Sequence, residues 1–115
     1  MIVIEEDKDL LKANIYAELT LNDYRELEKA ITAKLKKRRK LHLLLDLRNM
    51  SGFTVDVAWE DLKFTRSHPH DFARIGVLSS DQWTSWLGWL GTAFTDAEVQ
   101  TFTEPEPALA WARGR

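Results

Sequence analysis

"LHLLLDL", residues 41–47, decides the fold: five of its seven residues are leucine. A continuous apolar run of this length reads as a strand buried on both faces. A second such run, "ARIGVLS" at residues 73–79, lies downstream. Upstream, "MIVIEE" precedes a charged turn at Asp7–Asp9, and "LLKANIYAEL" alternates at Ala13, Ile15 and Ala17. That alternation marks strands with one covered face. Between the strands the period changes. Tyr24, Leu27, Ile31 and Leu35 share one helical stripe, with Thr20 placed to cap it and Asp23 in its first turn. "NMSGF" reads as a turn after the Leu-rich strand, and Thr54 can cap a helix over "VDVAWEDLKFTRSH", which Pro69 stops at His68. Ser79 with Gln82 forms a capping box for a helix over Asp81–Phe94; "EVQTF" is a last strand; Thr103 with Glu106 caps the final helix, "PEPALAWAR". The order ββαβαβαβα predicts an α/β fold: a mixed, mostly parallel five-stranded sheet with four helices.

Composition narrows the function classes. The chain has 115 residues, 44% hydrophobic and 30% charged, with net charge −2. That suits one globular domain over residues 1–115. The absence of cysteine excludes disulfides, thiol catalysis and thiolate metal sites. No apolar run is long enough to span a bilayer and the first residues lack a signal-peptide pattern, so a cytoplasmic protein is expected.

The order of elements, together with "LLLDLRNMSGFT", "WEDLKF", "FARIGVLS", "WLGWL" and "AFTDAEVQTF", resembles the SpoIIAA-like family of STAS-type (SEC14-like) bacterial domains over essentially the whole chain. The resemblance implies a single STAS-like domain. In anti-anti-sigma factors of that fold, a Ser in an Asp-Ser context opens the helix after the third strand and is phosphorylated. Thr54 and Val55 stand in that region here and Ser51 lies earlier, so the switch is not carried over. For the SpoIIAA-like branch the resemblance implies binding of a hydrophobic ligand or a membrane surface through mobile helices, with no catalytic residues.

The aromatic residues are the leading candidates. Trp83, Trp86, Leu87, Leu90, Ala93 and Phe94 gather on one side of the segment at 81–94, with Trp89 at its edge. Gly88 and Gly91 each cost about 1 kcal/mol in a helix, so apolar contacts must hold it. In the preceding helix, Val55, Ala58, Trp59 and Leu62 form the expected inner stripe, and Val57 and Phe64 a second strip nearly opposite. Trp59, Phe64, Trp83, Trp86, Trp89 and Phe94 are therefore the expected ligand-binding set.

Charged candidates are fewer. "KLKKRRK" places Lys36, Lys37, Arg38 and Arg39 where they can solvate a helix C-terminus or meet an anionic surface. His68, His70 and Asp71 are best read as a solvated loop rather than metal ligands, and His42 as a satisfied polar group in a buried strand. Asp46, closing its strand, lies with Arg48 and Ser51 near the carboxyl ends where ligands gather in open sheets. Glu60 and Asp61 are neighbours that point in different directions and make no acid/base pair. The expected function is a non-enzymatic binding domain for a hydrophobic small molecule or lipid, with peripheral membrane contact and no cofactor, metal or nucleic acid. The alternative is a STAS-like protein-interaction or regulatory module, with a homodimer as one form of it.

Overall fold

The computed structural model describes residues 1–8, 10–37, 40–68, 70–79 and 96–114, apart from the side chains of Leu62 and Thr65. The chain runs β1 (Ile2–Asp7), β2 (Leu10–Leu19), α1 (Leu21–Leu35), β3 (Leu41–Phe53), α2 (Val55–Ser67), β4 (Phe72–Leu78), β5 (Glu98–Phe102) and α3 (Pro105–Ala112). These are three helices among the described residues; the helix expected at Asp81–Phe94 lies outside them, as does Gln82 of its capping box. The sheet order is β1-β2-β3-β4-β5. β1 is antiparallel to β2 and every other pair is parallel, as the alternation of strands and helices requires.

Two apolar layers flank the sheet. Leu11, Ala13 and Ile15 of β2 and Leu43 and Leu47 of β3 face α1 and α2, where Tyr24, Leu27, Ile31, Val57 and Phe64 are buried. Leu10, Leu44 and Leu78 point the other way onto Ala108 and Ala112 of α3. β3 is thus covered on both sides, as its leucine run demands. Each fully buried Leu or Ile contributes about 1.5–3 kcal/mol relative to exposure.

Thr20 caps α1 in a reciprocal box: its hydroxyl accepts from the Asp23 N–H while Asp23 Oδ2 accepts from the Thr20 N–H. α3 differs from expectation. Its N-cap is Glu104 without a side-chain cap bond, not Thr103, because Pro105 occupies the first turn, where its fixed φ starts the helix.

The turn expected at "NMSGF" is instead the end of β3. Asn49, Met50, Gly52 and Phe53 pair with Tyr16, Ala17, Glu18 and Leu19 of β2. The ladder and the burial of Met50 overrule local turn chemistry there. Register shifts, with Ala17 at φ 57°, bend this ribbon. Asp46 therefore does not close its strand. It marks instead where pairing with β4 ends, opposite Leu78.

Candidate functional site

α2 carries two large apolar side chains that stand mostly in solvent: Val55 is 77% and Trp59 64% exposed. Val57 and Phe64, by contrast, are 0% and 8% exposed. The expected inner stripe of α2 is thus reversed. At about 100° per residue, Val57, Asp61 and Phe64 fall within roughly 60° of one another, whereas Val55 and Trp59 lie on the far side. The inner face accepts a carboxylate because α1 offers it a donor: the Tyr24 hydroxyl donates to Asp61 Oδ1. Phe64 is packed within the core and stacked on His68 at 4.1 Å.

A polar cluster lies between α1 and α2. Tyr24 and Glu28 stand one turn apart on α1, and Glu60 and Asp61 face them from α2. Burial, reinforced by the Asp61 carboxylate, raises the Tyr24 phenol well above its usual range. Burial also raises Asp61, with the Tyr24 bond opposing it. Glu28 is pushed up to about 7, first by burial and then by the charge and hydrogen bonding of Glu60. Its Oε1 is buried with no hydrogen-bond partner among the described residues. Lys63 Nζ approaches Glu60 Oε1 at 3.5 Å from the solvent side. The sequence had separated Glu60 and Asp61 from any site. The overlooked signal was Tyr24 on a buried stripe, since a buried phenol needs a polar partner.

The carboxyl-end candidates divide. Asp46 is 5% exposed and accepts from the Arg48 N–H at 3.2 Å, Nε at 3.0 Å and Nη2 at 2.8 Å. These bonds outweigh burial and hold its carboxyl below the usual range. Ser51 lies exposed farther along β3, and Asp46 and Arg48 satisfy each other. His42 Nδ1 bonds the Ala112 carbonyl at 2.6 Å, anchoring α3. His68 Nδ1 turns to the Phe64 carbonyl at 2.9 Å and His70 Nδ1 to Asp96 Oδ2 at 2.8 Å, so the two imidazoles serve different partners. Lys36 and Lys37 are exposed beyond α1; Arg38 and Arg39 lie outside the described residues, as do Trp83, Trp86, Trp89 and Phe94. A shallow groove of about 260 Å³ beside β1 is lined by Glu5, Glu6, Asp7, Lys12 and Arg113 among others. Within it, Arg113 Nη2 pairs with Asp7 Oδ2 at 2.7 Å. No helix among the described residues is long and apolar enough to cross a membrane.

The SpoIIAA-like family model matches residues 10–113, and the chain belongs to that family. Among solved structures, it is similar to an uncharacterised protein with a SpoIIAA-like fold from Shewanella loihica PV-4, at 26% identity and TM-score 0.77, over 97% of this chain and 92% of that one. It is also similar in fold to SpoIIAA, an anti-sigma factor antagonist solved in its unphosphorylated form, at 12% identity and TM-score 0.64 over 100% of both chains. No curated protein matches.

Proposed function

We propose that this member of the SpoIIAA-like family is a non-catalytic interaction domain that docks a protein partner on the outer face of α2, with Trp59 as the anchor. One observation carries the reading: a tryptophan and a valine one turn apart stand largely in solvent, although side chains of that size are usually drawn inside. Trp is also one of the residue types enriched among those that dominate binding energy at protein interfaces. Asp56 lies exposed beside this pair. The partner surface that fits is an apolar pocket with a basic rim. The position of the phosphorylatable Ser is not matched, and Thr54 donates its hydroxyl to Asp56 Oδ1. The docking is accordingly constitutive rather than phosphate-switched.

Trp83, Trp86, Trp89 and Phe94 stay candidates for an apolar ligand on their spacing alone. The two readings part experimentally. Trp59→Ala should weaken a purified partner's binding at least about tenfold, a loss in the hot-spot range, and leave thermal stability unchanged. Unchanged affinity overturns the docking reading. Flotation with lipid vesicles that survives Trp59→Ala assigns the binding to a lipid instead, and concentration-dependent sedimentation lost in that variant identifies the partner as a second copy.

A further inference from the structure

We propose that the outer edge of β1 is a self-association surface: two copies of this chain join β1 to β1, antiparallel, about a two-fold axis at Val3, and fuse their five-stranded sheets into one. This surface is separate from the outer face of α2 and does not depend on the docking reading above.

β1 is an edge strand, and among the described residues it pairs with β2 alone. The ladder shows which of its backbone groups face outward. Met1 and Tyr16 exchange both backbone bonds, at 2.8 and 3.0 Å. In an antiparallel ladder such pairs alternate with non-bonded ones. Val3 and Glu5 therefore bond inward to Asn14 and Lys12, while Ile2, Ile4 and Glu6 turn their N–H and C=O groups to the outer edge. Edges are usually blunted by charge, proline or a bulge. From Met1 to Ile4 there is no charged side chain, no proline and no register shift.

The same stretch presents an apolar strip. Met1 and Val3 alternate onto one face, and Tyr16 stands across from Met1. All three are exposed, Val3 at 42%. Ile2 and Ile4, on the other face, pack against the core.

Charge selects the occupant. The carboxylates in the second half of β1 are already engaged: Glu5 with Asn14 at 3.0 Å, Glu6 with Lys34 at 3.8 Å and Asp7 with Arg113 at 2.7 Å. A basic strand would gain little from them, whereas a second copy finds a register that avoids them. Centred on Val3, Ile2 meets Ile4 of the second copy, and the outward groups of the two residues can exchange both backbone bonds. Val3 meets Val3 of the second copy in a non-hydrogen-bonded pair, where side chains come closest. Glu6 and Asp7 stay outside the paired stretch. An axis at Ile4 sets Glu6 against Ile2 and Glu5 against Val3. An axis at Glu5 sets that carboxylate against its own copy, and like charges directly opposite destabilise a sheet. The contact is isologous, so it closes as a dimer.

Sedimentation velocity on the full chain reads the join. The wild type should pass from monomer to dimer as concentration rises, and Trp59→Ala should do the same. Val3→Lys, at a position exposed in the monomer, should weaken self-association about fivefold or more, because it places like charges opposite each other. Cross-linking reads the register, since the chain has no native cysteine. A non-hydrogen-bonded pair brings its Cα atoms to about 4.5 Å, within disulfide reach. Val3→Cys should therefore form a covalent dimer under mild oxidation, and Glu5→Cys should not. A wild type that stays monomeric at every concentration overturns the β1 join. Equal cross-linking of the two cysteine variants does so too. Self-association lost in Trp59→Ala but kept in Val3→Lys would place the second copy on α2 and also overturn it.

Discussion

Tyr24 on α1 and Asp61 on α2 are joined by a hydrogen bond from the phenol to the carboxylate, on the side of α2 that also buries Val57 and Phe64. Tyr24→Phe keeps the ring in its buried place and removes the donor. The carboxylate left behind should cost about 1–3 kcal/mol of stability. Urea denaturation at pH 7 measures it. A loss well under that range would mean that water readily replaces the phenol.

Trp59 and Phe64 provide an opposed pair on one helix. Trp59→Ala should change stability by no more than about 0.5 kcal/mol, as surface substitutions do. Phe64→Ala should cost about 3–5 kcal/mol through the cavity it opens in the α1–α2 layer. Equal losses in the two variants would contradict the orientation of α2.

Asp46 supplies a test in acid. Burial would raise its carboxyl, but the side-chain and backbone hydrogen bonds of Arg48 prevail, and its folded value lies below the ordinary 3.8. The stabilisation from this group is therefore complete above that ordinary value and is lost as pH falls through the folded one. Wild type should be more stable than Asp46→Asn at pH 6, and the gap should close progressively below pH of about 4. A gap that stays constant down to pH 2 would show that the pairing with Arg48 contributes no proton-linked stability.

Gly76 sits under α3. A Cβ there would stand 3.1 Å from Leu44 Cδ1 and 3.5 Å from the Trp111 ring. Leu44 is buried and has little room to yield. Gly76→Val should overpack this layer and cost about 1–3 kcal/mol. Wild-type stability in the variant would mean that α3 is not seated against β4.

The order of described elements was readable because each signal is local. The leucine run at 41–47 excludes a wet face, and "LLKANIYAEL" and "EVQTF" became β2 and β5 with the boundaries their patterns imply. The Thr20 cap was equally local, since a hydroxyl and a carboxylate three residues apart satisfy each other's backbone. "NMSGF" misled because its residues suit a turn when taken alone. Alongside β2, they complete a ladder instead.

By itself, the sequence determined that strands and helices alternate around a doubly covered β3, which is enough for the family's fold. Only the tertiary structure decided which face of α2 is turned inward. That helix has an apolar strip on each of two opposite sides, so hydrophobicity alone could not choose between them. On the side turned inward, Asp61 meets a side chain 37 residues away, the buried hydroxyl of Tyr24, which local sequence does not reveal. On the opposite side of the helix, Trp59 stands largely in water. The orientation of α2, and with it the exposure of Trp59, thus goes with a long-range hydrogen bond that no local pattern contains.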